Sequence, residues 1–303
     1  MNSPAARDGL LSQQVADALA SACSEASLDA TGARLLRMHS NAVFYLPASR
    51  AVARINNGPD GARRVTTSLT ATEWLARHEF PAVRPKVTRV FVHNHLVISF
   101  WEYEETVEAR RSLAALAFLL RELHAFRDVA LDLPAMPSPL YSVTRAVDDH
   151  PEAFDGDDRA WLAGEINASE WRWGAMKFTL PAGLVHGDAH PNNLLYTRRG
   201  PVLGDWDHVG YGPREWDLVQ ALYFHRRFPV PEDDLDAAAD AYGWDLRTWP
   251  GTEDLVSIRE ISGLGSYIRT AAAKPHARSE LAYRIKTLRE RDITAPWNSP
   301  ARS

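Results

Sequence analysis

One stretch constrains this chain more than any other. Residues 184–193 read Leu-Val-His-Gly-Asp-Ala-His-Pro-Asn-Asn, and residues 203–207 read Leu-Gly-Asp-Trp-Asp. Val185-His186 ends a short apolar run, so a strand should stop there and leave Asp188 on a loop. Pro191 keeps that loop from continuing as a helix. Leu194-Leu195-Tyr196 and Val202-Leu203 read as a hairpin around Arg198-Arg199-Gly200, with Asp205 just past the second strand. A hairpin brings its two ends together. Asp188, Asn193 five residues later and Asp205 seventeen residues later are therefore expected around one spot.

Those three side chains suit one kind of chemistry. Phosphoryl transfer needs a carboxylate to orient a hydroxyl nucleophile, and hard oxygen donors to hold magnesium against nucleotide phosphates. The protein-kinase pattern H-R-D-x-x-x-x-N followed by D-F-G supplies these groups in that order. Here the slots read His186, Gly187, Asp188, Asn193 and then Asp205. Asp188 is the expected catalytic base, and Asn193 and Asp205 are the expected metal ligands. Loop Asp and Asn are also ordinary turn formers, but the ordered set argues for chemistry. A zinc site on His186, His190 and Asp188 is the competing reading, implying a metal-dependent hydrolase. His186 is expected to make a buried structural hydrogen bond, and His190 to brace the loop.

The rest of the chain sets bounds. Its 303 residues are 45% hydrophobic and 24% charged, which is ordinary for a globular protein. They suffice for one large domain or two lobes. A net charge of −5 gives no basic footprint, so no nucleic-acid partner is expected. The single cysteine, Cys23, excludes an internal disulfide. No apolar run approaches the ~20 residues of a spanning helix, and residues 1–11 lack a signal-peptide pattern. No membrane partner and a cytoplasmic location are the expectation.

The organisation splits in two. Residues 10–19 carry helical spacing, and residues 33–55 read as three short antiparallel strands. Residues 62–78 read as a helix, then 86–92 and 95–101 as two more strands. From residue 104 onward the character is helical, with helices expected within 113–124, 157–173, 213–227, 232–242, 253–273 and 277–290. Residues 131–141 hold three prolines and read as a loop.

The chain resembles the aminoglycoside phosphotransferase family of small-molecule kinases. The resemblance rests on 184–195, on Gly204-Asp205-Trp206-Asp207, on 212–218 (Gly-Pro-Arg-Glu-Trp-Asp-Leu), and on the Leu119–His124 helix end. It spans about residues 34–225; the last 75 residues carry no signature. It implies an α+β, bilobal protein-kinase-like fold. An N-lobe (1–103) would combine a leading helix, a five-stranded antiparallel sheet and one helix as the nucleotide clamp. A larger, mainly helical C-lobe (104–303) would carry the catalytic loop, the metal site and the acceptor. Asp217 matches an Asp that braces the catalytic loop, and Asp207 would aid the metal indirectly. Arg54 stands in the strand position of the phosphate-binding Lys. Ser40-Asn41 would form the turn over the phosphates, and the backbone of Trp101-Glu102-Tyr103 would meet adenine.

The helix acid that partners that cation in the family is displaced here. Its position falls on Ser68, and the helix's acid, Glu73, is five residues on, about 140° around the axis. Either Glu73 reaches the site through a shifted register, or that ion pair is absent. The implied reaction moves the γ-phosphate of a Mg2+-bound ATP or GTP to a hydroxyl of a small molecule, most readily an antibiotic such as an aminoglycoside. The alternatives are a metabolic alcohol acceptor (choline, a sugar, an amino-acid hydroxyl) and a non-catalytic nucleotide-binding pseudokinase. The acids Glu232, Asp233, Asp234, Asp236 and Asp240 would suit a cationic acceptor, or merely form a solvated helix face.

Overall fold

A computed structural model describes residues 4–38, 41–57, 61–272 and 274–298. Two compact units emerge. The first comprises residues 1–110, 130–133 and 192–209; the second comprises 111–129, 134–191 and 210–303.

The first unit is built on a five-stranded antiparallel sheet. Its leading helix α1 (Pro4–Glu25) is followed by β1 (Arg34–Met38), β2 (Ala42–Leu46) and β3 (Ala51–Asn57). Then come helix α2 (Gly61–Arg77), β4 (Phe91–His93) and β5 (Leu96–Glu102). The strand order is β1-β2-β3-β5-β4. Residues alternate between faces along a strand, and that alternation sorts the core. Ala51, Ala53 and Ile55 of β3 and Ile98 and Phe100 of β5 pack with Ala18, Leu19, Ala22 and Cys23 of α1. Val97 and Trp101 face the other way, onto Val65 and Leu69 of α2, with Val52 beside them. Arg54 and Asn56 share that face with Val52, two and four residues on.

The strand expected over 86–92 is shorter than the sequence suggests. Regular pairing covers Phe91–His93 alone. Lys86 and Val87 instead direct their amides to the Phe100 carbonyl, at 2.8 and 3.3 Å, next to Pro85.

The second unit is mainly helical. It begins with α3 (Leu113–Ala125), capped by Ser112, whose hydroxyl accepts the Ala115 amide at 3.1 Å. Helix α4 (Tyr141–Asp149) was not anticipated; its nine residues hold only three buried apolar positions, too short a pattern to register. Helix α5 (Asp158–Ala175) and strand β6 (Gly183–Val185) follow. The hairpin β7 (Leu194–Thr197) and β8 (Gly200–Leu203) forms as expected, but it packs within the first unit. There Leu203 exchanges backbone hydrogen bonds with Pro81 and Val83, at 2.8 and 3.0 Å. Strand β9 (Gly210–Gly212) pairs with β6. Helices α6 (Glu215–Arg227), α7 (Glu232–Tyr242), α8 (Thr252–Ala271) and α9 (Pro275–Arg289) complete the unit. Helix α8 is its axis, burying Leu255, Val256, Ile258, Ile261, Leu264 and Ile268. At Gly265 an added Cβ would lie 3.3 Å from the α4 backbone at Val143, so glycine permits that close approach.

The C-terminal residues form a strap. The Arg227 guanidinium donates to the carbonyls of Asp292 and Ala295, at 2.7 and 3.1 Å. The Trp297 ring lies 4.6 Å from each of the Arg227 and Arg284 guanidinium carbons. No described helix is long and apolar enough to cross a membrane.

Candidate active site

In the first unit, one cation gathers two acids. Arg54 Nη2 lies 3.0 Å from Asp205 Oδ1 and 2.9 Å from Asp207 Oδ2. Asn56 adds a 3.4 Å hydrogen bond to Asp207 Oδ2. The acids differ in access: the Asp205 side chain is 34% exposed and that of Asp207 only 11%. Burial works against the charge of Arg54, and Asp207 and Asp205 more than offset it, so its pKa sits above the ordinary value.

The backbone fixes this arrangement. Asp205 has φ 63°, the left-handed region that non-glycine residues adopt at a cost. Trp206 between the two acids is fully buried; its indole donates to the Leu203 carbonyl at 2.9 Å and meets Phe80 edge-on at 6.0 Å. At the hairpin base the Gly204 amide donates to the Asn193 carbonyl at 2.9 Å, which sets Asn193 beside the Asp205 turn. Asp205 and Asn193 are hard oxygen donors, and two of them leave room in an octahedral shell for phosphate oxygens and water. That donor set fits magnesium.

The partner of Arg54 does not come from α2. Glu73 is exposed, and Ser68 is fully buried with its hydroxyl lacking a hydrogen-bond partner among the described residues. Of the two alternatives for the helix acid, the absent ion pair holds: Glu73 stays exposed, and the carboxylate beside Arg54 is that of Asp207, four residues past the hairpin. Asn56 was not foreseen either; the signal was its place two residues from Arg54 on one strand face. Trp101, Glu102 and Tyr103 lie at the end of β5, with Trp101 buried and Tyr103 4.2 Å from the Tyr45 ring. Asn41 precedes β2, and Ser40 lies outside the described residues.

In the second unit, Asp217 organises the loop that carries Asp188. It sits in the first turn of α6, where a helix favours negative charge. Asp217 is buried, and it accepts the amides of His186 (2.7 Å) and Gly187 (2.8 Å). His124 Nε2 is 3.1 Å from Asp217 Oδ2, and His124 Nδ1 is 2.9 Å from the Tyr242 hydroxyl. The Trp216 indole donates to the Gly187 carbonyl at 2.9 Å. Gly187 has φ 82°, a turn that its lack of a side chain permits. His186 is fully buried, and its Nδ1 accepts the Asp188 amide at 3.3 Å.

Asp188 itself is about one-third exposed and faces two basic groups. His190 Nε2 is 3.6 Å from Oδ2, and Arg259 Nη2 is 3.8 Å from Oδ1. Arg259, on α8, had no sequence signal, because the resemblance stops before it. The tryptophans of this unit that could stack a ligand divide. Trp216 and Trp249 are buried in a cluster with Trp173 and Phe178, while Trp171 is 76% exposed. In the acidic helix α7, Asp236 is taken by Arg247 at 2.6 Å. Among the described residues no three His, Cys, Asp or Glu side chains cluster as a metal cage.

The profile of the phosphotransferase enzyme family (APH) matches residues 32–255. The chain belongs to that family. Its fold is that of the family's kinase-like members. It superposes on amicoumacin kinase hAmiN in complex with AMP-PNP, Ca2+ and Ami with a TM-score of 0.65, at 13% identity over 88% of this chain and 90% of that one. The GDP and kanamycin complex of APH(2")-IIia gives 0.62 at 16% identity, covering 88% and 95%. A choline/ethanolamine kinase family protein from Mesorhizobium loti gives 0.58 at 17%, covering 88% and 90%. No curated protein matches the sequence. The α+β, kinase-like reading is thus correct, and the protein is a small-molecule phosphotransferase.

Proposed function

We propose that this phosphotransferase moves the γ-phosphate of a nucleoside triphosphate to a hydroxyl of a small molecule. The observation that carries the reading is Arg54 clasped by Asp205 and Asp207, with Asp205 the accessible acid. Asn193 and Asp205 would hold magnesium, which supplies positive charge to the donor phosphates when bound. Arg54, anchored by Asp207, would pair with phosphate oxygens, a task its planar fork suits. Asp188 would accept a hydrogen bond from the acceptor hydroxyl. As the acceptor oxygen bonds to the γ-phosphorus, the hydroxyl proton passes to Asp188. The bond from phosphorus to the bridging oxygen breaks, and its electron pair leaves on the nucleoside diphosphate.

The loop that holds Asp188 takes its shape from Asp217, Trp216 and Gly187, so positioning is built in before substrate arrives. ATP or GTP is the proposed donor; solved relatives are bound to AMP-PNP and to GDP. An antibiotic is the proposed acceptor class, and a metabolic alcohol is the second reading, which the choline/ethanolamine kinase relative favours. The pseudokinase alternative draws on Ser68 in place of the helix acid and Arg54 in place of Lys; the ion pair of Arg54 with Asp207 speaks against the first of these.

The test is a screen for mass gain of one phosphate, with Mg-ATP and Mg-GTP, across antibiotics and simple alcohols. Slow nucleotide hydrolysis in water, abolished in Asp205→Ala, is the parallel readout. A wild-type protein with neither hydrolysis nor transfer would contradict the proposal.

A further inference from the structure

We infer that the acceptor carries an anionic group, a carboxylate or a phosphate, beside the hydroxyl that is phosphorylated, and that Arg259 receives it. This rests on the proposed role of Asp188 as the group that meets the acceptor hydroxyl. Arg259 is placed as a binding group. Its guanidinium carbon lies 4.7 Å from the Tyr223 ring centre and 6.0 Å from that of Trp216, and its side chain is only 12% exposed. Stacking on aromatic faces holds a guanidinium while leaving its edge free to bond. Gly263, one turn along α8, admits it; an added Cβ there would stand 3.3 Å from Arg259 Nη1 and 3.1 Å from the Tyr223 hydroxyl.

Arg259 is also short of partners. Several other arginines of this unit pair with acids closely: Arg226 with Glu253 at 2.7 Å, Arg284 with Glu280 at 2.7 Å, Arg247 with Asp236 at 2.6 Å. Among the described residues the ion-pair partner of Arg259 is Asp188 alone, at 3.8 Å, and its Nε has no hydrogen-bond partner. A buried guanidinium with an unmet donor is costly, and the terminal nitrogens beside Asp188 are the ones an arriving oxyanion would pair with.

The same placement works against a cationic acceptor. The guanidinium does not lose its proton in any ordinary pH range. It stands within 4 Å of the carboxylate that an ammonium would otherwise seek, and the His190 ring lies near the other carboxylate oxygen. Elsewhere in the unit, Asp236 and Glu253 are already engaged by Arg247 and Arg226. An ammonium beside the reacting hydroxyl would find the Asp188 carboxylate already offset by Arg259, whereas a carboxylate or phosphate would find guanidinium donors to pair with.

The experiment compares acceptors that share one scaffold and differ in charge: 3-amino-1,2-propanediol, glycerol, glycerate and glycerol 3-phosphate. Larger hydroxyl compounds in amine, neutral and acid forms extend the set. Acceptor-dependent nucleotide turnover and phosphorylated product are both measured with wild type, Arg259→Ala and Arg259→Glu, and wild-type hydrolysis in water is recorded alongside. The expected result is kcat/KM at least about tenfold higher for the anionic than for the amine member of a set. Arg259→Ala should raise KM for anionic acceptors by a larger factor than for neutral ones, and Arg259→Glu should invert the order. Glycerate and glycerol 3-phosphate distinguish carboxylate from phosphate. The inference is overturned if the amines are the better acceptors, or if Arg259→Ala lowers all classes equally, as a purely structural role would. It is overturned too if anionic compounds leave turnover unchanged while the protein hydrolyses nucleotide in water. Absence of that hydrolysis, with the whole panel silent, removes the kinase reading itself and this inference with it.

Discussion

Replacing Asp217 by alanine removes one carboxylate that serves three donors. The structure shows the amides of His186 and Gly187 at 2.7 and 2.8 Å and His124 Nε2 at 3.1 Å, all around a side chain with no solvent exposure. A buried donor left unpaired costs about 1–3 kcal/mol. Two orphaned amides therefore account for roughly 2–6 kcal/mol, and water entering the space left behind offsets part of it. The expected loss for Asp217→Ala is about 3–5 kcal/mol, the range for breaking a buried charged network. Asp217→Asn keeps one acceptor oxygen and should lose less, roughly 1–3 kcal/mol. Urea unfolding followed by tryptophan fluorescence and circular dichroism measures both variants. Amide exchange at His186 and Gly187 should accelerate in each. Turnover at a temperature where Asp217→Asn is folded should fall on the order of a hundredfold, since a displaced loop misplaces Asp188. A loss under about 1 kcal/mol for Asp217→Ala, or an asparagine variant as unstable as the alanine one, would refute this reasoning.

Three further outcomes follow from the structure. Asp207→Asn should raise KM for the nucleotide by roughly 10- to 100-fold with a smaller change in kcat, because the anchor of Arg54 loses its charge; an unchanged KM would remove Asp207 from that role. Ser68→Ala should leave activity intact and stability equal or up to about 1 kcal/mol higher, since the buried hydroxyl has no partner among the described residues; a loss of activity would restore α2 as a source of support for Arg54. Burial, with Asp29 adding to it, pushes the Cys23 thiol up to about 11. The folded protein therefore holds that proton more tightly than the unfolded chain, whose thiol titrates near ~8.5. The contribution is intact below the unfolded value and is lost as pH rises toward 11. Iodoacetamide at pH 8 should modify Cys23 only once the protein is unfolded; rapid labelling of the native form would contradict this.

Much of the fold was legible because local pattern and chemistry agreed. The β2–β3 run, α2, and the helices from α5 onward follow apolar spacing that packing later satisfies, whereas Leu35, Leu36 and Met38 of β1 stay exposed. The hairpin that sets Asn193 next to Asp205 was readable from two short apolar runs around Arg198-Arg199-Gly200. The missed features share a physical character. Helix α4 is too short for its periodicity to stand out, and β9 contributes three residues, paired with β6 and bridged to Ala135. The replacement of a helix acid by Asp207 is a long-range pairing, 153 residues from Arg54, so local spacing could not reveal it. Arg259 is similar: its meaning comes from Tyr223 beneath it and Asp188 beside it, neither of which is near in sequence.

The most direct measurement pairs turnover with nucleotide binding in Asp188→Ala and Asp205→Ala. Calorimetry with a non-hydrolysable nucleotide, with and without magnesium, accompanies phosphate-transfer kinetics. Asp188→Ala should bind nucleotide within about twofold of wild type while turnover drops by roughly 10²–10⁴. Asp205→Ala should lose the magnesium-dependent part of nucleotide binding along with turnover. Undiminished turnover in Asp188→Ala, or magnesium-dependent binding that survives in Asp205→Ala, would contradict the account.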